Sequence, residues 1–419
     1  MISSIKRIIL CGLGALTILF AIAPLPAMAH GERATEPYIR TRTIQWYDVK
    51  WSAEKIGVND TVAVTGKFHL MDDWPDAVHK PDKVFMSNTS PGAVLTRVES
   101  YINDVPAQQS MKNLEVGRDY TFKIVMKGRI PGRWHLHPML NINGAGPIVG
   151  PGGWIQVDGR AADYRHSVTT IGGTQIEDTQ NYGVARVQMW QIGYVLIAVA
   201  WLLWWLRRPL IIPRWVATRK GLDDLLITRT DDKVAAGFLV LVLLVVIVGY
   251  INVKAEFPRV VPLQAGSLYT PPLPESPKLV TVKFKKAEYD VPGRSMRMSI
   301  EVTNNASRPV RLGEFLTASL RFVNNKLPAA VAAVDPAYPK ELLPSSGIVV
   351  EGDSLLAPGE TRVIKMDATD AAWELERLVG FLTNVDSRIG ALLFFYDDKG
   401  ARYITSVAGP ILPVFKKTI

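Results

Sequence analysis

Two apolar segments in the middle of the chain constrain its fold most strongly, because each is about as long as a bilayer is thick. The first covers about 187–206 and holds tryptophans and a tyrosine of the kind enriched at membrane interfaces. The second covers about 234–251 and contains an uninterrupted apolar run from Phe238 to Val248. Because a hydrocarbon core of about 30 Å requires about 20 helical residues, we predict two transmembrane helices. A helix pair buried in a soluble protein is the alternative.

The charges between these segments predict their orientation. The connecting segment, 207–233, carries seven Lys and Arg residues against four Asp. Because basic loops stay on the cytoplasmic side of a membrane, both large flanking regions are predicted to lie on the opposite, periplasmic side.

The N-terminus has the features of a secretory signal. Lys6 and Arg7 precede an apolar run over 8–23, and Ala27-Met28-Ala29 matches a small-residue cleavage site. An uncleaved anchor is the alternative, although the run is short for a membrane span. Cleavage after Ala29 would leave His30 as the first residue of the mature chain.

Composition excludes several classes of site and partner. The one cysteine, Cys11, lies in the first apolar stretch, so a mature chain without that stretch has none. This excludes structural disulfides, cysteine-based zinc sites, iron–sulfur clusters and a thiolate blue-copper centre. More than half of the net charge of +9 comes from the N-terminus and from 207–233. Because no basic patch with interleaved aromatic residues occurs, we predict no nucleic-acid partner.

The regions on either side of the apolar segments alternate polar and apolar residues with a period of two, which is typical of β-strands. Examples are the segments 120–127, 280–285 and 296–302. Turn dipeptides such as Pro131-Gly132 and Pro292-Gly293 separate such stretches. The pattern predicts a mainly β fold with two β-sandwich or barrel domains.

The predicted domains follow from these signals. They are a signal peptide over 1–29, an N-terminal β domain over 30–184, transmembrane helices over 185–206 and 234–251, a cytoplasmic basic loop over 207–233, a Pro-rich linker over 252–277 and a C-terminal β domain over 278–419.

Six histidines are the main candidates for chemistry, and the first of them is His30. At a mature N-terminus its α-amine and its imidazole can chelate one metal ion together, once both are deprotonated. The alternative is an arbitrary residue at a signal junction.

A second feature is the sequence Trp134-His135-Leu136-His137. On a strand, His135 and His137 project from the same face, about 6.6 Å apart along the chain. Two imidazoles at that separation can converge on one ion, with metal–nitrogen bonds near 2 Å. Two surface histidines beside a core strand are the alternative.

Together, His30, His135 and His137 form an all-nitrogen donor set that suits copper, with nickel or zinc as alternatives. Such a site suits oxygen chemistry or copper storage. His69 is a weaker candidate for a second ion, and a hydrogen-bonded surface histidine is its alternative. Glu32 could support a metal-bound His30, or could be a solvated carboxylate. No catalytic residue is assigned, because the chain has no G-x-S-x-G, Walker or H-E-x-x-H motif.

These residues lie in stretches that make the chain resemble the B subunit of copper membrane monooxygenases, the family of ammonia monooxygenase and particulate methane monooxygenase. The resemblance covers essentially the whole mature chain. The matching stretches are 30–33, 42–48, 66–69, 131–137, 146–154, 262–266, 291–294, 311–315 and 370–374.

The resemblance implies two periplasmic, cupredoxin-like β-sandwich domains joined by a two-helix transmembrane hairpin in a bacterial inner or intracytoplasmic membrane. It implies a copper site at His30, His135 and His137. It also implies contact with membrane lipid and assembly with A and C subunits as a trimer of heterotrimers. The copper held by this chain would either activate oxygen or belong to a non-catalytic scaffold. A copper-delivery protein outside the family is a further alternative.

Within the family, the chain resembles the ammonia-oxidising branch at Gln45 and over 67–75, 129–133 and 406–415. This implies a complex that converts ammonia to hydroxylamine with O2 and two electrons. In methane-type members, a histidine at the position of Gln45 binds copper at a further site, and Ser406 of this chain lies near that site. Among these three residues of this chain, only His69 is a good metal ligand. A B subunit of a methane or hydrocarbon monooxygenase is the alternative.

Overall fold

The computed structural model describes residues 35–170, 172–208, 211–222, 224, 226–258, 266–352, 354–384 and 386–415. The predicted signal peptide with Cys11, and the N-terminal residues His30 and Glu32, lie outside them. The chain forms two compact units. One joins the described residues up to Ala162 with those from Gly266 onward, and the other contains the described residues of Asp163–Ala265.

The first β domain follows a short helix, α1 (Pro37–Arg42). Its strands are β1 (Ile44–Trp51), β2 (Lys55–Gly57), β3 (Thr61–Leu70), β4 (Lys83–Thr89), β5 (Leu95–Ile102), β6 (Val105–Pro106), β7 (Ser110–Lys112), β8 (Asp119–Gly128), β9 (Gly132–Ile142), β10 (Gly146–Val149) and β11 (Gly153–Asp158). One sheet has the order β1-β3-β8-β5-β6. The other has the order β7-β4-β9-β11-β2, with β10 paired to β9. A short 3-10 turn, Ala161–Asp163, follows.

Alternating apolar side chains from both sheets fill the space between them. Trp46 of β1 packs edge-on against Phe122 of β8, with ring centroids 5.0 Å apart. Leu136 and Ile155 enter the same core from β9 and β11 of the other sheet. The domain is therefore a β-sandwich with an aromatic centre.

The unit over Asp163–Ala265 contains the apolar helices. Its elements are β12 (Val168–Thr169), β13 (Gln175–Ile176), α2 (Val184–Leu206), α3 (Ile211–Arg219) and α4 (Arg229–Glu256). Helices α2 and α4 are 23 and 28 residues long and are apolar enough to cross a bilayer.

Polar contacts join the C-terminal end of α2 to the start of α4. Thr228 and Asp231 form a reciprocal capping box at the first turn of α4. The Asp231 carboxylate also accepts hydrogen bonds from the Arg208 guanidinium at 2.7 Å and from Nε1 of Trp204 at 3.1 Å. The two helices are therefore held as a pair at the end where the basic connection begins.

The second β domain returns to the first unit. Its elements are β14 (Ser267–Tyr269), β15 (Val280–Asp290), β16 (Ser295–Asn304), β17 (Val310–Thr317), β18 (Leu320–Val323), α5 (Pro328–Ala332), a 3-10 turn (Lys340–Leu342), β19 (Val349–Val350), β20 (Thr361–Thr369), α6 (Ala372–Leu375), a second 3-10 turn (Leu378–Thr383), β21 (Arg388–Asp397) and β22 (Arg402–Val414). Strand β14 runs parallel to β7 and extends a sheet of the first domain.

The remaining strands form one sheet in the order β18-β17-β21-β22-β15-β16-β20-β19. Strand β22 pairs with β21 along most of its length and with β15 near its end. The two halves of the sheet fold over a shared core, which includes Ile300, Phe322, Trp373 and Leu393. The prediction of a mainly β fold with two sandwich domains and two apolar helices between them is confirmed.

The two sandwiches contact each other directly. Tyr47 and Met71 of the first domain share a buried apolar cluster with Leu316 and Phe394 of the second. Ion pairs also join the two domains, including Arg388 with Asp73 at 2.7 Å and Arg402 with Asp48 at 2.5 Å.

Candidate metal centre

Strand β9 carries His135 and His137 between two neighbouring strands. His135 lies opposite Trp154 of β11, and His137 lies opposite Thr89 of β4. Leu136, between them, is fully buried in the sandwich core. The alternation of the strand therefore turns both imidazoles to the other face of the sheet.

The two rings lie side by side. Their centroids are 4.4 Å apart and their planes cross at 66°. His137 is buried, with 5% of its surface exposed, and His135 is partly buried. Two imidazoles this close can both reach one ion.

A backbone carbonyl orients His137. Its Nδ1 lies 3.0 Å from the carbonyl oxygen of Gly150. Because a carbonyl oxygen only accepts, Nδ1 carries the hydrogen. In the neutral ring, the ligand lone pair is then on Nε2, which is how metal-binding histidines are commonly held.

The loop between β10 and β11 approaches both rings through a glycine. A Cβ atom on Gly152 would lie 2.6 Å from Nε2 of His135 and 2.5 Å from Cε1 of His137. Carbon atoms do not approach side chains so closely, so any larger residue at this position would displace the rings. The glycine thus lets the backbone form one wall of the imidazole pair.

One further side chain contacts His135, and a second lies against that neighbour. The Trp154 indole stacks on its imidazole with a centroid distance of 4.6 Å and an interplanar angle of 15°. The Arg133 guanidinium lies over the Trp154 ring, 4.8 Å from its centroid.

The pair fits a metal with nitrogen preference, but it needs further donors. Among the described residues, no group of three or more His, Cys, Asp and Glu side chains is placed to hold an ion. His30, the predicted third imidazole and amine, lies outside those residues, as does Glu32. Copper, nickel and zinc all accept imidazole ligands, so the chemistry of the donors agrees with the metals predicted from sequence.

His69 lies elsewhere, on β3 in the opposite sheet of the sandwich. Its Nδ1 is 3.1 Å from Oδ1 of Asp119, which also accepts a hydrogen bond from the Tyr47 hydroxyl at 2.9 Å. Burial alone would raise the pKa of Asp119, but these hydrogen bonds hold it below its ordinary value. Burial, and then the Asp119 carboxylate, raise the pKa of Tyr47.

The surroundings of His69 offer little to a second ion. Its Nε2 is buried and has no hydrogen-bond partner among the described residues. Gln45 is its register partner on β1. The amide nitrogen of Gln45, however, donates to the carbonyls of Arg40 and Thr41 at 3.1 and 2.7 Å. Its Oε1 accepts from the backbone of Ala318 at 2.8 Å. Gln45 is therefore used to connect the two β domains.

Ser406, the other residue considered near that position, donates to Asp72 at 3.4 Å. The second position thus has one imidazole with no second nitrogen ligand from Gln45. A single imidazole is a weak basis for a metal site.

Sequence reasoning missed the residues that shape the pair: Gly150, Gly152, Trp154 and Arg133. In the sequence analysis, the glycine-rich stretch before β11 enters only as part of 146–154, one of the stretches that carry the family resemblance. The available signal was a tryptophan that begins a strand directly after this glycine-rich stretch, next to a strand with alternating histidines.

Comparison with known proteins gives the following matches. A family model that describes the B-subunit proteins of monooxygenases matches residues 31–415. The "Particulate methane monooxygenase alpha subunit" of Methylococcus capsulatus (strain Bath) is 43% identical over 390 residues, covering 93% of each chain. Among solved structures, the cupredoxin domain of amoB from Nitrosocaldus yellowstonii is 18% identical, with a TM-score of 0.25 over 32% of this chain and 98% of that one. The adhesin InvE of Yersinia pseudotuberculosis is 10% identical, with a TM-score of 0.15 over 87% of this chain and 60% of that one.

Proposed function

Because the chain belongs to the B-subunit family of copper membrane monooxygenases, we propose that it holds copper in an ammonia-oxidising complex. Family membership makes it a membrane component of a multi-subunit oxidoreductase, and α2 and α4 supply two candidate spans. Beyond family membership, we propose a metal site, a substrate for the complex, partner subunits and an orientation in the membrane.

The imidazole pair on β9 is the main support for the proposed metal site. His135 and His137 face the same side, 4.4 Å apart. The Gly150 carbonyl holds His137 in the tautomer whose Nε2 has the lone pair. We propose that His30 completes the site with its imidazole and its α-amine after removal of 1–29. Copper bound there would supply one-electron redox chemistry with dioxygen.

The protein residues have separate tasks in this proposal. His30, His135 and His137 bind the ion, while the Gly150 carbonyl keeps the Nδ1 proton of His137 in place. The burial of His137 limits the access of water to its side of the site. Glu32 would support His30 without binding the ion itself.

We propose ammonia as the substrate of the complex, with hydroxylamine as product and O2 and two electrons as co-reactants. The support is Gln45, which stands where methane-type members of the family have a histidine and which is fully occupied by backbone groups. Methane is the second candidate, because a protein 43% identical to this chain is named a particulate methane monooxygenase subunit.

We further propose that the basic loop 207–233 lies in the cytoplasm and that two cupredoxin-like domains, 30–184 and 278–419, lie in the periplasm. The Pro-rich linker 252–277 would lead from the second span to the second domain. A and C subunits would complete a trimer of heterotrimers in the membrane.

The experiment is to measure the copper content of the purified complex with His137→Ala in this chain. We expect less copper per complex than in the wild type, because the change removes one imidazole of a proposed three-imidazole site. His79→Ala is the matched control, since His79 is an exposed histidine of the same domain. Unchanged copper in an assembled His137→Ala complex would contradict the assignment.

A further inference from the structure

An unusually exposed tryptophan lies beside the imidazole pair. Trp154 has 43% of its surface exposed, whereas Trp46 and Trp373 are buried in the cores of the two sandwiches. Its position on β11 is directly opposite His135 on β9. Residues that face each other on neighbouring antiparallel strands have side chains in contact, so the sheet itself sets this pairing.

The contact is a parallel stack. The indole and imidazole planes differ by 15° at a centroid distance of 4.6 Å, whereas the imidazole planes of His135 and His137 differ by 66°. The torsion that rotates a histidine ring has broad minima, so the strand alone does not fix the plane of the imidazole. A flat neighbour at stacking distance restricts that plane.

The plane matters because the lone pair of an imidazole nitrogen lies in it. A ring that turns about its Cβ–Cγ bond therefore points its lone pair away from an ion that His137 also binds. His137 is oriented by a hydrogen bond from Nδ1 to the Gly150 carbonyl. The Trp154 indole lies stacked on the imidazole of His135.

Arg133 holds the indole in turn. It lies two residues before His135 on β9, so both side chains leave the same face of the sheet. Its guanidinium lies 4.8 Å from the centroid of the Trp154 ring, within the range of a cation–π contact. The three side chains form a continuous row, Arg133, Trp154 and His135.

We propose that Trp154, held by Arg133, is a positioning residue that fixes the imidazole plane of His135 for metal binding. The inference rests on the proposed copper site. It assigns a role in the site to residues that provide no ligand atom.

The test uses the purified complex and two measurements, the copper affinity by chelator competition and the Cu(II) electron paramagnetic resonance spectrum. The spectrum of this site is obtained by subtracting the spectrum of the His137→Ala complex from that of the wild-type complex. The variants are Trp154→Leu, which removes the flat surface, and Trp154→Phe, which keeps one. Phe85→Leu is the matched control, because Phe85 is 39% exposed on the neighbouring β4 and has Lys83 over its ring at 5.8 Å.

We expect Trp154→Leu to weaken copper binding by about ten-fold, the lower end of what loss of an orienting neighbour costs, and to change the hyperfine pattern of the site. Trp154→Phe restores most of the affinity and the spectrum, and Phe85→Leu leaves both unchanged. Arg133→Gln leaves the strand pairing intact and shifts the spectrum in the same direction as Trp154→Leu, by less.

Wild-type affinity and spectrum in Trp154→Leu would overturn the proposal. If Trp154→Leu does not assemble, the other two variants decide. The proposal is then overturned when Trp154→Phe keeps the wild-type affinity and spectrum and Arg133→Gln keeps them too, without the expected spectral shift. A failure of the copper site itself is distinguishable, because His137→Ala would then leave the copper content and the spectrum of the complex unchanged.

Discussion

At the scale of single residues, backbone atoms shape the imidazole pair as much as side chains do. The Gly150 carbonyl accepts from His137, and the Gly152 backbone lies against both rings. Neither contribution depends on a functional group in a side chain. Such a site is sensitive to changes that alter only the volume of the loop.

Gly152→Ala should lower the copper content of the complex. Its Cβ would lie 2.5 Å from His137 and 2.6 Å from His135, so the rings must separate. Overpacking of this kind costs about 1–3 kcal/mol, which the domain should tolerate. The measurement is the metal content of the assembled complex, together with its thermal unfolding. Gly266→Ala is the control, because its Cβ would meet only Gln109, at 3.7 Å. Wild-type copper in Gly152→Ala would show that the loop does not confine the pair.

The sequence predicts the shared face of His135 and His137, because strand alternation is a local property of the chain. It does not predict Trp154 as their neighbour. That contact arises from the register of β9 with β11, which is set by the turn and loop geometry between them. The use of Gln45 is equally non-local, since its amide bonds to Ala318 in the other domain.

At the scale of elements, the strands found from sequence are those with one polar face. Strand β16 alternates buried and partly exposed residues, and its pattern is visible in the sequence. Strands β17 and β21 are buried on both faces for most of their length, so their sequences show no alternation. The bulge in β15 between Phe284 and Lys286 is also invisible to a simple period of two.

A bulge in β1 creates a polar connection to β22. Asp48 adopts a positive φ of 54°, and its carboxylate accepts two hydrogen bonds from the Arg402 guanidinium, at 2.8 and 2.5 Å. Burial alone would raise the pKa of Asp48, but Arg402 outweighs it and holds the pKa below its ordinary value. The pair therefore stabilises the folded protein while the carboxylate is ionised.

The contribution of this pair should disappear in acid. Its stabilisation is present above the unfolded-state pKa of about 3.9 and is lost as the pH falls through the lower folded-state value. Asp48→Asn, which also tolerates a positive φ, should lower stability by about 1 kcal/mol at neutral pH, since the pair is partly exposed. The difference between wild type and variant should shrink as the pH falls below about 4 and vanish only below the folded-state pKa of Asp48. The check is thermal unfolding of both complexes across that range, and a constant difference would contradict the assignment.

At the scale of the whole molecule, two β-sandwiches share one compact unit although the apolar helices separate them in the chain. Strand β14 joins a sheet of the first domain directly after the helix pair, and Tyr47 and Met71 share an apolar cluster with the second domain. The sequence predicts two domains from their patterns. It does not predict this union, because the contacts join residues far apart in the chain.

Because the two β-sandwiches form one compact unit, we predict that both lie on the same side of the membrane. A mature chain without Cys11 has no cysteine, so single-cysteine variants report position without background. In cells with an intact inner membrane, an impermeant maleimide should label Lys112→Cys and Lys399→Cys. It should label Thr218→Cys, in α3, only after permeabilisation. Labelling of Thr218→Cys in intact cells would reverse the proposed orientation.

The copper content of the complex with a displaced N-terminal amine tests the proposed metal centre most directly. One alanine is inserted before His30, and mass spectrometry verifies that the mature chain starts with it. We expect copper to fall toward the level of the His137→Ala complex, because the bidentate chelate of amine and imidazole is broken. Wild-type copper in a complex with the verified extra residue would contradict a metal centre built on His30, His135 and His137.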